Sequence, residues 1–157
     1  MIIDFEGEPD RPLAQRRAKQ SPLLDVAGMI RAFDYAAYAA LFAFLQNRPV
    51  EFDRLKPWAD LWRLHTSAAF LDAYQRIATG ATAASRDSRT DPGGNPFPTP
   101  GRSLLPPDPD HRWQLLRFFI LNKALYELQY ELNHRPGLLH WVRIPLAGIL
   151  DMAEVHV

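Results

Sequence analysis

The chain has 157 residues, 18 Lys or Arg against 18 Asp or Glu, and 47% hydrophobic residues. A length and apolar content of this order suit one buried core, and a formal net charge of +0 leaves no electrostatic footprint for nucleic acid or an anionic membrane. The absence of cysteine excludes a disulfide framework and thiolate-held zinc or iron–sulfur chemistry, and is compatible with a reducing compartment.

The chain opens on Met1-Ile2-Ile3-Asp4-Phe5-Glu6-Gly7-Glu8-Pro9, a short apolar strand that carries an aspartate and further acids into a Gly/Pro turn. Magnesium-nucleotide enzymes use such a geometry, because Mg²⁺ takes hard oxygen ligands from a rigid element and leaves its other positions to water and phosphates. An acidic turn capping an edge strand fits the same residues. No basic n-region or long apolar h-region surrounds Asp4, so no export signal is expected. Arg16, Arg17 and Lys19 follow as a basic stretch that reads as solvated surface.

From Asp25 the periodicity turns helical. Val26, Met29, Ile30, Phe33, Ala37, Leu41, Phe44 and Leu45 fall on one face, with Asp25 suited to N-cap the helix and Asn47-Arg48-Pro49 to end it. Its apolar stretch around Tyr35 to Leu45 falls short of the roughly 20 residues that span a bilayer.

A second helix is predicted from about Pro57, placed in its first turn, to Ala78. Leu61, Leu64, Ala68, Leu71 and Ile77 would form its buried stripe, with Arg63, Asp72, Gln75 and Arg76 largely outside it. Trp58 and Trp62, four apart, fit an exposed sugar platform or core packing, and burial preferences favour the core. His65 reads as a partly buried packing residue, since no second metal ligand lies one turn away.

Gly80 to Asp110 is rich in Ala, Ser, Thr, Gly and Pro without a sustained apolar period, and is expected to be a long, partly disordered loop inserted between helices of a single domain. Gly93-Gly94 makes no phosphate loop, because no strand precedes it and no Lys-Ser/Thr follows. The last long helix is expected from near Asp110 to about Asn133, with Trp113, Leu116, Ile120, Ala124, Leu128 and Leu132 on its buried side. Lys123 with Glu127, Tyr126 with Tyr130, and Glu127 with Glu131 are spaced i, i+4, which by itself describes a solvated helix face with an ordinary ion pair. The tail, Trp141 to Leu150, reads as an extended lead-in to a short terminal helix with Pro145 in its first turn.

The order of these segments resembles the maltokinase family. The residues that carry the likeness are Ile3-Asp4-Phe5-Glu6-Gly7-Glu8-Pro9, Arg11-Pro12-Leu13, the basic stretch, and Ser21-Pro22-Leu23 followed by Asp25-Val26-Ala27-Gly28-Met29, Arg31 and Phe33-Asp34-Tyr35-Ala36-Ala37. A closing block continues it through Lys123-Ala124-Leu125-Tyr126-Glu127-Leu128, Tyr130-Glu131-Leu132-Asn133, Arg135-Pro136, Trp141 to Leu146 and Gly148-Ile149-Leu150. The likeness covers most of the chain apart from the middle loop.

The resemblance implies a mainly α fold, the C-terminal helical lobe of a protein-kinase-like, aminoglycoside-phosphotransferase-like enzyme with one short N-terminal strand or hairpin. It implies ATP-dependent phosphorylation of maltose to maltose 1-phosphate, with Mg²⁺ and ATP as cofactors, in a cytoplasmic protein without nucleic-acid or membrane partners. By the same likeness Asp4 stands where such kinases hold magnesium, with Glu6 or Glu8 as a candidate second ligand, and Lys123, Tyr126, Glu127 and Tyr130 would bind the sugar. The family's His-Gly-Asp catalytic loop, with its Asp base, would fall upstream of Met1. Phosphoryl transfer by this polypeptide alone is therefore not expected, and a separate N-terminal kinase half or trehalose synthase is the implied partner. The other reading is a non-catalytic remnant or binding module that keeps the helical lobe.

Overall fold

A computed structural model describes residues 12–46, 51–78, 105–134 and 139–154. The expected N-terminal strand with Asp4, Glu6 and Glu8, and residues 80–104 of the expected loop, lie outside the described residues. Within them the protein is mainly helical, as expected. A short α1 (Leu13–Arg17) leads to three long helices, α2 (Leu23–Phe44), α3 (Phe52–Ala78) and α4 (Pro109–His134), then a 3₁₀ turn (Leu139–Val142) and α5 (Arg143–Glu154). Helix α2 is central, packing against α3, α4 and α5.

The start of α2 corrects the expected cap. Ser21 Oγ accepts the Leu23 N–H at 3.3 Å and the Ser21 carbonyl accepts that of Leu24 at 2.9 Å, so Asp25 is an exposed first-turn residue. There it complements the partial positive charge of the helix N-terminus. The Leu45 N–H closes the helix onto the Leu41 carbonyl at 3.0 Å. At 22 residues, α2 is long and apolar enough to cross a bilayer by length and composition, contrary to the shorter stretch expected. Its inner face nevertheless carries Arg31 and Asp34, both held by partners on the same and neighbouring helices.

That inner face also differs in phase from the expected one. Leu23, Val26, Ala27, Arg31, Asp34, Ala37, Tyr38 and Leu41 are buried, whereas Met29 and Phe44 are exposed. In α3 the expected stripe fails more completely. Leu61, Leu64, Ala68 and Ile77 face solvent; of the expected stripe Leu71 does pack against the core, and the helix turns Asp60, Arg63, Phe70, Tyr74 and Ala78 inward beside it. Trp58, Trp62 and His65, expected in or near the core, are exposed. Helix α3 begins at Phe52, so Pro57 lies inside it and not at its start. Because proline has no N–H, the Asp53 carbonyl loses its intrahelical donor there.

Helix α4 starts close to where the sequence places it. Asp108 Oδ1 accepts the Asp110 N–H at 3.0 Å, and Pro109 occupies the first helical position, where its missing N–H costs nothing. Leu116 and Ala124 are buried as expected, while Trp113 and Leu132 are exposed. The hydrophobic core joins Leu23, Val26 and Ala27 of α2 to Leu105 and Leu116, with Phe70, Leu71 and Tyr74 of α3 packed against it. Pro145 sits in the first turn of α5, as expected, but Trp141 and Val142 form a 3₁₀ turn and not an extended lead-in.

Candidate functional site

Between the apolar core and an aromatic cluster near the 3₁₀ turn, the helices meet through charge. Arg31, 1% exposed, projects from α2 and donates from Nε to Glu127 Oε2 of α4 at 2.8 Å and from Nη1 to Asp34 Oδ2 at 2.6 Å. Arg63 of α3 continues the chain of bonds. It donates from Nη1 to Asp34 Oδ1 at 3.4 Å, from Nε to Asp60 Oδ1 at 3.1 Å and from Nη2 to Asp151 Oδ2 of α5 at 2.5 Å. Lys56 Nζ donates to Asp60 Oδ2 at 2.6 Å, and the Tyr38 hydroxyl donates to Asp60 Oδ1 at 3.4 Å. Charged hydrogen bonds thus tie α2, α3, α4 and α5 together.

Gly148 of α5 makes room for this arrangement. A Cβ at that position would lie 3.0 Å from the Arg31 guanidinium carbon and would overlap Nη1 outright. The glycine is required by the close approach of a buried cation, not by its backbone conformation.

Burial is the largest influence on the two carboxylates flanking Arg31. It pushes Asp34 above the usual carboxylate range despite Arg31 and Arg63, and raises Glu127 despite Arg31 and Lys123. Asp60 goes the other way: burial pushes it up, but hydrogen bonds from Lys56 and Arg63 outweigh that and hold it below the ordinary value. Burial also raises the Tyr35 hydroxyl, reinforced by the negative charges of Glu127 and Glu131.

The sugar-site residues expected from the sequence separate into two groups. Lys123, Tyr126 and Tyr130 share one side of α4 with His134. Lys123 Nζ lies 5.1 Å from the Tyr126 ring centre, the Tyr126 and Tyr130 rings are 6.4 Å apart at 29°, and Tyr130 stacks on His134 at 4.4 Å and 20°. Glu127 instead turns inward to Arg31. Its i, i+4 relation to Lys123 therefore does not describe a solvated face. Glu131 is buried beside it and accepts the Tyr35 hydroxyl at 3.2 Å, and the Tyr35 ring stacks at 6.3 Å and 20° on Trp141. Trp141 also meets Phe42 edge-on at 5.9 Å.

Sequence reasoning missed Arg31, Asp34, Asp60, Arg63 and Asp151. The available signal was Arg31 with Asp34 three residues on, both falling within the apolar stripe of a long helix, where an unpaired charge would be too costly to bury.

Among the described residues no group of three or more His, Asp or Glu is placed to hold a metal ion. The acidic concentration around Arg63 does not fit Mg²⁺, because its carboxylates already face Arg31, Lys56 and Arg63. A hard divalent ion would have to displace those cations. Asp4 and Glu6 lie outside the described residues.

No family model matches the chain. It is similar to a glucosamine kinase from Streptacidiphilus jiangxiensis, 27% identical over 151 residues. The similarity covers 96% of this chain and 27% of that protein, so the chain spans about a quarter of the relative's length.

Proposed function

We propose that this chain is the helical, sugar-holding part of an ATP-dependent sugar kinase of the maltokinase type, cytoplasmic, with maltose as acceptor and maltose 1-phosphate as product. The observation that carries the reading is the similarity to a glucosamine kinase along nearly the whole chain, which agrees in reaction class with the resemblance of its motifs to maltokinases. In this reading the chain acts within a larger catalytic unit in which the remaining kinase half supplies the catalytic base, and trehalose synthase is the alternative partner. Asp4 and Glu6 serve Mg²⁺ and its nucleotide.

Residues on α4 favour a neutral sugar. The stacked Tyr126 and Tyr130 rings offer faces to sugar C–H groups, and Lys123 beside them offers a donor for hydroxyls. The ammonium of glucosamine calls for a carboxylate. On this helix Glu127 faces Arg31 and Glu131 faces Tyr35, while the cation Lys123 stands on the aromatic side.

The second reading, a non-catalytic binding module, draws on the same inward turn of Glu127, which leaves the network structural. Isothermal titration of the purified chain with maltose, glucosamine and Mg²⁺-ATP separates the readings. Saturable maltose binding stronger than that of glucosamine supports the kinase part. Saturation by glucosamine alone moves the substrate to that of the relative, and no binding of either sugar leaves the binding-module reading.

A further inference from the structure

Helices α2 and α3 enclose an apolar groove with a volume of about 410 Å³. Ala36, Ala37 and Ala40 of α2 form one side, with Phe44 at its end, and Trp58 and Trp62 of α3 form the other. Trp58 is 69% exposed, Trp62 49% and Phe44 60%. Among the described residues no charged or amide side chain lines the groove, which sets it apart from a sugar site, where a few fixed polar groups give orientation. Contiguous apolar surface of this kind marks an interaction site.

The geometry points to a second copy of this chain as the occupant, with α3 packing antiparallel on α3 of the other copy so that each copy's tryptophans meet the other's groove. Three observations carry this. First, Leu55, Trp58, Trp62, His65 and Ala69 follow one another at alternating spacings of three and four residues, the seam of a helix built to pack on another helix. The tryptophans and Ala69 are exposed in the single chain, and so is His65.

Second, the same surface carries both the knobs and the hole they need, which is the requirement of a two-fold, isologous contact. An antiparallel register centred on Asp60 sets Trp58 opposite Trp62 of the second copy and Leu55 opposite His65. Along the seam it also avoids like charges: Glu51 comes opposite Ala69 and Arg54 opposite Thr66. Asp60, at the centre, is turned inward to Lys56, Arg63 and Tyr38.

Third, the exposed parts of Phe44, Trp58, Leu61 and Trp62 amount to about 500 Å² per copy, or ~1,000 Å² for the pair, at the lower limit of a specific interface. An interface of that size falls in the class of weak, reversible contacts, so the dimer is a reversible one.

Sedimentation equilibrium of the full chain from about 5 to 500 µM tests the proposal. The expected result is a monomer–dimer equilibrium in that range, weakened at least about tenfold by Trp58→Ala or Trp62→Ala. Trp113→Ala, at an exposed tryptophan on α4, should leave it unchanged, and far-UV circular dichroism of each variant should match the parent. Because the contact is apolar, raising salt from about 0.05 to 0.5 M should not weaken it. A monomer throughout the range, or association unaffected by both α3 substitutions, or equally affected by Trp113→Ala, overturns the proposal.

Discussion

Replacing Arg31 tests whether the fold depends on its buried charge. In Arg31→Met the long apolar side chain keeps much of the volume, but Glu127 loses its donor and Asp34 keeps only the 3.4 Å bond from Arg63. Removing one partner from a buried ion pair costs about 3–5 kcal/mol, because the remaining charge is left uncompensated. In a chain of this size that corresponds to a drop in Tm of roughly 6–20 °C. Glu127→Gln should be far milder, about 1 kcal/mol or less. Asp34 still faces the Arg31 guanidinium, so that cation is not left without a counter-charge. Urea unfolding followed by far-UV circular dichroism at pH 7 measures both. At pH 5 the Arg31→Met defect should shrink, as the stranded carboxylates take up protons more readily in the folded chain than in the unfolded one. A cost below about 1 kcal/mol for Arg31→Met, or a Glu127→Gln cost as large as that of Arg31→Met, refutes the reasoning.

Glycines give an independent check. Gly148→Ala should destabilise by about 1–3 kcal/mol, since the new methyl group collides with the pinned Arg31 guanidinium. Gly28→Ala in α2, where a Cβ meets nothing within 4 Å, should stabilise by about 0.5–1 kcal/mol through helix propensity. Thermal melts of the two variants should therefore shift in opposite directions. The pH profile follows from the directions of the carboxylate shifts. Asp34 and Glu127 lie above their unfolded values, so their contribution rises as pH falls through their folded pKa. Asp60 lies below its unfolded value, so its contribution is present above the ordinary carboxylate range and lost as pH falls through its folded pKa. Denaturant midpoints should hold or rise from pH 7 to 5 and fall below about pH 4, and Asp60→Asn should reduce the acid-side fall. Tyr130→Ala, at a residue outside the ion-pair network, should weaken maltose binding about tenfold in titration while leaving the melting temperature within about 2 °C, the value of a lost aromatic contact at a sugar face.

The long helices were legible from their 3.6-residue apolar period, and their ends only in part. The start of α4 near Asp110 and Pro145 in the first turn of α5 hold, whereas Ser21 and not Asp25 accepts the first amide of α2, and α3 begins at Phe52 and not at Pro57. Helix faces were less legible, for a shared physical reason. The sequence reading assigned charged residues outward, which rotated the α2 stripe toward Met29 and Phe44 and put Arg63 of α3 outside. In the structure Arg31, Asp34, Asp60 and Arg63 point inward because they satisfy one another: Arg31–Asp34 and Asp60–Arg63 show in the sequence as i, i+3 pairs, but the bond that links one pair to the other runs between helices and leaves no periodic signal. The exposed Trp58 and Trp62 follow from the same rotation of α3. At the candidate sugar site, i, i+4 spacing correctly grouped Tyr126 with Tyr130. It did not reveal that Glu127 pairs with Arg31, 96 positions away in sequence.

The most direct test of the sugar-holding account is amide chemical-shift mapping of maltose on the isotopically labelled chain. Perturbations concentrated on Lys123, Tyr126 and Tyr130, saturating with added sugar, are the predicted result. Perturbations confined to the Trp58 and Trp62 groove, or none at saturating maltose, would contradict the assignment of α4 as the sugar-binding element.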